Sequence, residues 1–270
     1  MTVSAKEARA LLPKTVIQGR PAKSPMRPVA SILSLAAAAA VAAGCAKPLT
    51  VYQQCQSALA RSRDRLLEGD RALAVGGPAQ AYDIYRQAAE DLALALPGIE
   101  KAQRDIEQTI LALDQQRRRT GEAVPPAQSN SVVVRGRTVA VDRYYAESLS
   151  TYRELTMLTV MMRALALARA GESRYRIAAR ALLDGDQFYR ARQFNQALRC
   201  YGDAEADFRK ALELFAQTEE FLNDKAPVPD QTAQSASHAC NVIQQVRPLA
   251  QQRRNQADAY LSATRRRLSQ

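Results

Sequence analysis

The sequence predicts an all-α fold, built either of helical hairpin repeats or as an elongated helical bundle with internal duplication. Three observations carry this. Glycine and proline are scarce, 11 and 12 in 270 residues, and most lie outside stretches rich in Ala, Leu, Arg and Gln, the residues a helix interior tolerates best. Aromatic residues make up 6% with no Trp, and the chain lacks the turn residues and the Val, Ile and Thr of an all-β protein. Residues 66–96 recur at 182–212, displaced by about 116 positions. A hydrophobic content of 47% excludes wholesale disorder.

The first 44 residues read as a leader. Six basic residues against Glu7 give them +5 of the total +11, so much of the basicity is not that of the folded body. An apolar run from about Pro28 to Ala43 is too short to span a bilayer, which needs about 20 residues. It ends in Ala42-Ala43-Gly44-Cys45, as small residues end a signal peptide. This ending resembles the lipobox of bacterial lipoproteins. The resemblance implies cleavage before Cys45 and lipidation of its sulfur. Because the next residue is Ala46 rather than Asp, it also implies sorting to the outer membrane, as in enterobacterial-type lipoproteins. The segment before Met26 is longer than such leaders carry, which makes Met26 a second candidate start.

Residues 45–270 are expected to form one periplasmic helical domain, with helices near 49–75, 78–118, 142–170, 173–191, 193–222 and 231–268. The polar, Pro-rich stretch 120–131 is a loop. Two β-branched runs around Gly136, at 132–141, predict a small hairpin that either packs on the helices or forms a flap. The stretch 142–170 carries Met157, Met161 and Met162 among leucines and is expected to be a central helix buried between two duplicated hairpins, at about 50–118 and 173–222. A Met-rich binding groove is the alternative.

The duplication is specific. Leu66, Leu67, Gly69, Asp70, Gln80, Ala81, Tyr85, Ala88, Asp91, Ala95 and Leu96 recur as Leu182, Leu183, Gly185, Asp186, Gln196, Ala197, Tyr201, Ala204, Asp207, Ala211 and Leu212. Seven-residue stripes continue it. Tyr85, Leu92, Ile99, Ile106 and Leu113 run beside Ala81, Ala88, Ala95 and Ala102, while Phe194, Tyr201, Phe208, Phe215 and Leu222 run beside Ala197, Ala204, Ala211 and Thr218. Large side chains facing alanines let two helices approach closely.

Within each copy the spacing resembles a tetratricopeptide repeat, a helix-turn-helix unit of about 34 residues. Gly185, Phe188, Ala197, Tyr201 and Ala204 fit its pattern completely. Gly69, Ala81, Tyr85 and Ala88 fit with Ala72 where an aromatic belongs. The early Trp and late Pro of that family are missing, so the second helix of each unit is expected to run on, with Pro97 as the candidate kink. The resemblance implies partner contacts on the exposed faces of the first helices, at Arg71, Gln187, Tyr189 and Arg190. Tyr189 is then expected to be replaceable without loss of stability.

The sequence offers no catalytic constellation. No phosphate-binding glycine loop, Gly-x-Ser-x-Gly elbow or Cys-x-x-Cys pair occurs. His238 is the sole histidine; it and Cys240 lack an orienting third group. Glu90-Asp91, Glu205 with Asp207, and Glu219-Glu220 are a solvated face of ion pairs or else a groove for a basic peptide. Arg117–Arg119, Arg253-Arg254 and Arg265–Arg267 offset helix dipoles or touch anionic lipid or lipopolysaccharide. With Cys45 lipidated, Cys55, Cys200 and Cys240 allow one internal disulfide or none.

The reading is therefore an outer-membrane-anchored, non-enzymatic lipoprotein facing the periplasm, needing no cofactor, metal or nucleic acid. It is expected to act as a protein–protein interaction scaffold in envelope assembly or secretion. The alternatives are a helical spacer without a groove and, remotely, a cell-wall-acting enzyme.

Overall fold

The computed structural model describes residues 46–121, 129–223 and 230–270. Among the described residues the chain is all-α with one small hairpin: α1 (Ala46–Ala74), α2 (Pro78–Thr120), β1 (Ser129–Val134), β2 (Arg137–Asp142), α3 (Arg143–Arg190), α4 (Phe194–Asn223) and α5 (Asp230–Leu268). No described helix is long and apolar enough to cross a membrane.

Helices α1 and α2 form the first hairpin. The turn at Gly76 takes φ +84, a left-handed conformation that costs glycine little. Tyr85, Leu92 and Ile99 of the heptad stripe are fully buried, as are Ala81 and Ala88 beside them. Beyond Ile99 the two rows become half-buried. The helix continues through Pro97 and ends at Gly121, whose N–H donates to Arg117 O at 2.9 Å with φ 73.

The sequence separates helices at 142–170 and 173–191; the structure joins them into the 48-residue α3. Gly171 lies in the expected gap between them but does not end the helix. A Cβ on Gly171 would lie 2.6 Å from Phe215 Cε1 of α4. Gly171 keeps its N–H, so the backbone ladder continues, and the missing side chain admits the neighbouring ring. The Met-rich half of α3 is buried on nearly every side: Thr159, Val160, Met161, Met162, Ala164, Ala166, Leu167, Ala168 and Ala170 are all in the core. A helix apolar all round belongs in an interior, and this one packs on α2, α4 and α5.

The C-terminal half of α3 pairs with α4 as the second hairpin, through a turn at Arg192 with φ 60. Tyr201, Phe208 and Phe215 are buried beside Ala197, Ala204, Ala211 and Thr218, which places the second stripe as the sequence predicts. Arg174 of α3 ties the two hairpins together. Its guanidinium stacks 3.8 Å from the ring centre of Tyr82 in α2 and donates to Asp207 of α4 at 2.9 Å. Helix α5 returns along α4 and α3.

The strands pair antiparallel from Ser129 opposite Asp142 to Val134 opposite Arg137. Arg135 and Gly136 both have positive φ, as a two-residue hairpin turn of matching twist requires. The hairpin is not a free flap. Val134, Val139 and Val141 form a buried cluster with Ile110 of α2 and Leu149 of α3. Arg153 donates to Val133 O at 2.7 Å. Arg117 donates to Asp142 at 2.8 Å, so that carboxylate makes no side-chain cap for α3.

Candidate interaction site

Each hairpin is organised by one three-residue unit. In the first, the ring of Tyr85 lies on Gly69, where a Cβ would approach it to 2.5 Å. The phenol then reaches back and donates to Asp70 Oδ1 at 2.6 Å. In the second, a Cβ on Gly185 would lie 2.6 Å from Tyr201 Cε1, and the Tyr201 hydroxyl donates to Asp186 Oδ1 at 2.8 Å. Glycine makes the seat and aspartate satisfies a hydroxyl that burial would otherwise strand. Burial first, and then the hydrogen bond to a carboxylate, push both phenols well above the usual tyrosine range.

The third wall differs between the copies. In the first it is α3, whose Arg169 stands 3.6 Å from Asp70. Arg169 also donates to Glu172 at 2.8 Å, and Glu172 accepts from Arg176 at 2.7 Å. In the second it is α5, which presents the ring of Tyr260 at 5.2 Å from that of Tyr201. Asp186 has no ion-pair partner among the described residues. A cavity of about 320 Å³ opens there, lined by Asp186, Tyr189, Arg190, Tyr201, Tyr260 and Thr264. The Thr264 hydroxyl donates to Tyr260 O at 2.7 Å, and the Tyr260 hydroxyl accepts from Gln256 at 2.9 Å.

Of the residues singled out in the sequence, the structure brings Tyr189 and Arg190 together at this cavity. Arg71 and Gln187 occupy equivalent exposed positions in the two copies and line neither wall. Arg190 is exposed, but Tyr189 is half-buried. Its ring packs edge-on against Phe194 at 5.3 Å within the second hairpin's core, so its substitution is not free of structural cost, contrary to expectation. Cys45 and the leader lie outside the described residues.

Of the acidic residues offered as a groove, all but Glu220 are paired internally. Glu90 pairs with Arg86, Asp91 with Arg65, Asp207 with Arg174 and Glu219 with Arg247. Glu205 accepts from both Arg209 and Arg254. Burial alone would raise the Glu205 pKa; the two arginines together outweigh burial and hold the carboxyl below its usual value.

Arg117–Arg119 and Arg265–Arg267 occupy last turns of α2 and α5, where positive charge complements the dipole. Arg253 and Arg254 instead lie in the middle of α5, so the dipole does not account for them; Arg254 is there for Glu205. Cys55, Cys200 and Cys240 are free thiols, Cys55 buried in the first hairpin. His238 is exposed near the start of α5.

The Gly-Asp pair and the tyrosine recur in both copies of the sequence, but an aspartate fifteen residues before a tyrosine carries no local signal that joins them. Tyr260 and Thr264 lie outside the duplication and carry no such signal either. The chain matches no protein-family model, no curated protein and no solved structure.

Proposed function

We propose that the chain is a lipoprotein anchored through Cys45 to the periplasmic face of the outer membrane, whose duplicated helical body is an interaction scaffold in envelope assembly or secretion. The observation that carries this reading is Ala42-Ala43-Gly44-Cys45 at the end of a basic-then-apolar leader, directly before the first residue of α1. Two or more acyl chains on that cysteine hold a protein firmly at a bilayer, where one chain binds only marginally.

The scaffold half is supported by the tetratricopeptide-like spacing and by Leu67 and Leu183. These equivalent leucines are left 51% and 53% exposed in the two hairpins. The same apolar side chain kept outside in both copies is what a repeated contact needs. A spacer without a groove is the second reading, favoured by the internal neutralisation of the acidic face.

Metabolic labelling with palmitate tests the anchor. The wild-type chain is expected to take up label and to fractionate with outer membranes, whereas Cys45→Ser loses both. Equal labelling of the two overturns the reading.

A further inference from the structure

The two copies of the Gly-Asp-Tyr unit provide an internal comparison. In both, a buried tyrosine hydroxyl donates to an aspartate carboxylate. In the first copy that carboxylate also faces the Arg169 guanidinium from the covering helix. In the second, the covering helix brings an aromatic ring in place of the cation, and a cavity of about 320 Å³ stands beside the carboxylate.

We infer that this cavity is a binding site for an organic cation, a guanidinium or alkylammonium group, which takes beside Asp186 the place that Arg169 takes beside Asp70. Three features select that chemistry. Among the described residues the Asp186 carboxylate has only the Tyr201 hydroxyl as hydrogen-bond partner, so it retains acceptor capacity. Tyr189, Tyr201 and Tyr260 surround it with rings, and aromatic faces attract cations by their quadrupole. Asp91, Glu205 and Asp207, which also lie beside the core stripes, are already paired.

Arg190 does not supply the missing charge. It stands one turn beyond Asp186 on α3, a spacing at which a pair can form, yet no ion pair joins them. Exposed at the edge of the cavity, it repels like charge and so disfavours a ligand with several positive groups more than one with a single positive head. The inference deepens the scaffold reading and rests on it only for the source of the cation, an arginine or lysine side chain of a partner segment rather than a free amine.

The full chain, purified in a nonionic detergent, is titrated by NMR with two probes: the peptide acetyl-Gly-Arg-Gly-amide and the free amine n-butylammonium. Saturable shifts of Tyr189, Tyr201 and Tyr260 are expected with the peptide. Asp186→Asn, which keeps an acceptor for Tyr201, is expected to weaken binding at least tenfold. Tyr260→Arg, which rebuilds the closed arrangement of the first copy, is expected to abolish it.

Saturation by n-butylammonium alone supports the cation site but removes the partner side chain as its source. Absence of saturable binding by either probe, or equal binding by Asp186→Asn, overturns the site. The palmitate experiment can fail without affecting this result, and this one without affecting that.

Discussion

Gly171 of α3 and Phe215 of α4 meet where a Cβ on the glycine would stand 2.6 Å from the ring. Their equivalents in the first hairpin are Cys55 and Ile99, both buried. One copy thus combines no side chain with a large ring, and the other a small side chain with a smaller aliphatic one. The size exchange predicts a coupled pair. Gly171→Ala alone is expected to cost about 1–3 kcal/mol through overpacking. Adding Phe215→Ile, which clears the space, should recover at least half of that cost. A double-mutant cycle by urea denaturation reads the coupling; strict additivity would show that the two residues do not share the space.

The two hairpin turns carry the same left-handed position with different residues. Gly76 and Arg192 are equivalent, with φ of +84 and +60. A residue with a Cβ costs about 1–2 kcal/mol there, while glycine gives back part of that advantage through the flexibility of the unfolded chain. Arg192→Gly is therefore expected to stabilise by about 0.5–1 kcal/mol and Gly76→Ala to destabilise by a similar amount. No atom lies within 4 Å of a Cβ at Gly76, so the loss at that position comes from backbone conformation alone. Thermal denaturation of the two variants should give shifts of opposite sign.

Stability at low pH should depend on Glu205. Its folded pKa lies below the ordinary 4.5 because Arg209 and Arg254 outweigh its burial. A depressed carboxyl pKa contributes stability that is fully present above the unfolded value and is lost as pH falls through the folded one. The wild-type chain should therefore lead Glu205→Gln at neutral pH, and the lead should shrink once pH drops below about 4.5. A gap that stays constant down to pH 2, or widens, would show that the Arg209 and Arg254 contacts do not stabilise the charged form.

The all-α class, the duplicated stripes and the small hairpin were legible because they rest on periodicity, and because Tyr85 and Tyr201 recur in register with Gly69 and Gly185. The break expected between 170 and 173 is absent, because Gly171 keeps its N–H and its missing side chain admits the Phe215 ring, which only the partner helix reveals. The cavity was half legible. Tyr189 and Arg190 follow from the exposed face that the repeat resemblance gives a first helix, but Tyr260 reaches the site from 59 residues beyond Tyr201, on a helix with no counterpart in the repeat. Arg169 was equally invisible as the first copy's cation, since pairing across helices leaves no trace in local sequence.

The most direct measurement of the duplicated architecture compares three glycines by urea denaturation. Gly69 and Gly185 each seat a tyrosine ring, whereas Gly202 sits in α4 with no atom within 4 Å of a Cβ. Gly69→Ala and Gly185→Ala are predicted to lose about 1–3 kcal/mol each, and Gly202→Ala to gain about 0.5–1 kcal/mol from helix propensity alone. If Gly69→Ala or Gly185→Ala is as stable as the wild type, the tyrosine of that copy does not rest on its glycine, and the shared unit that organises both hairpins is contradicted.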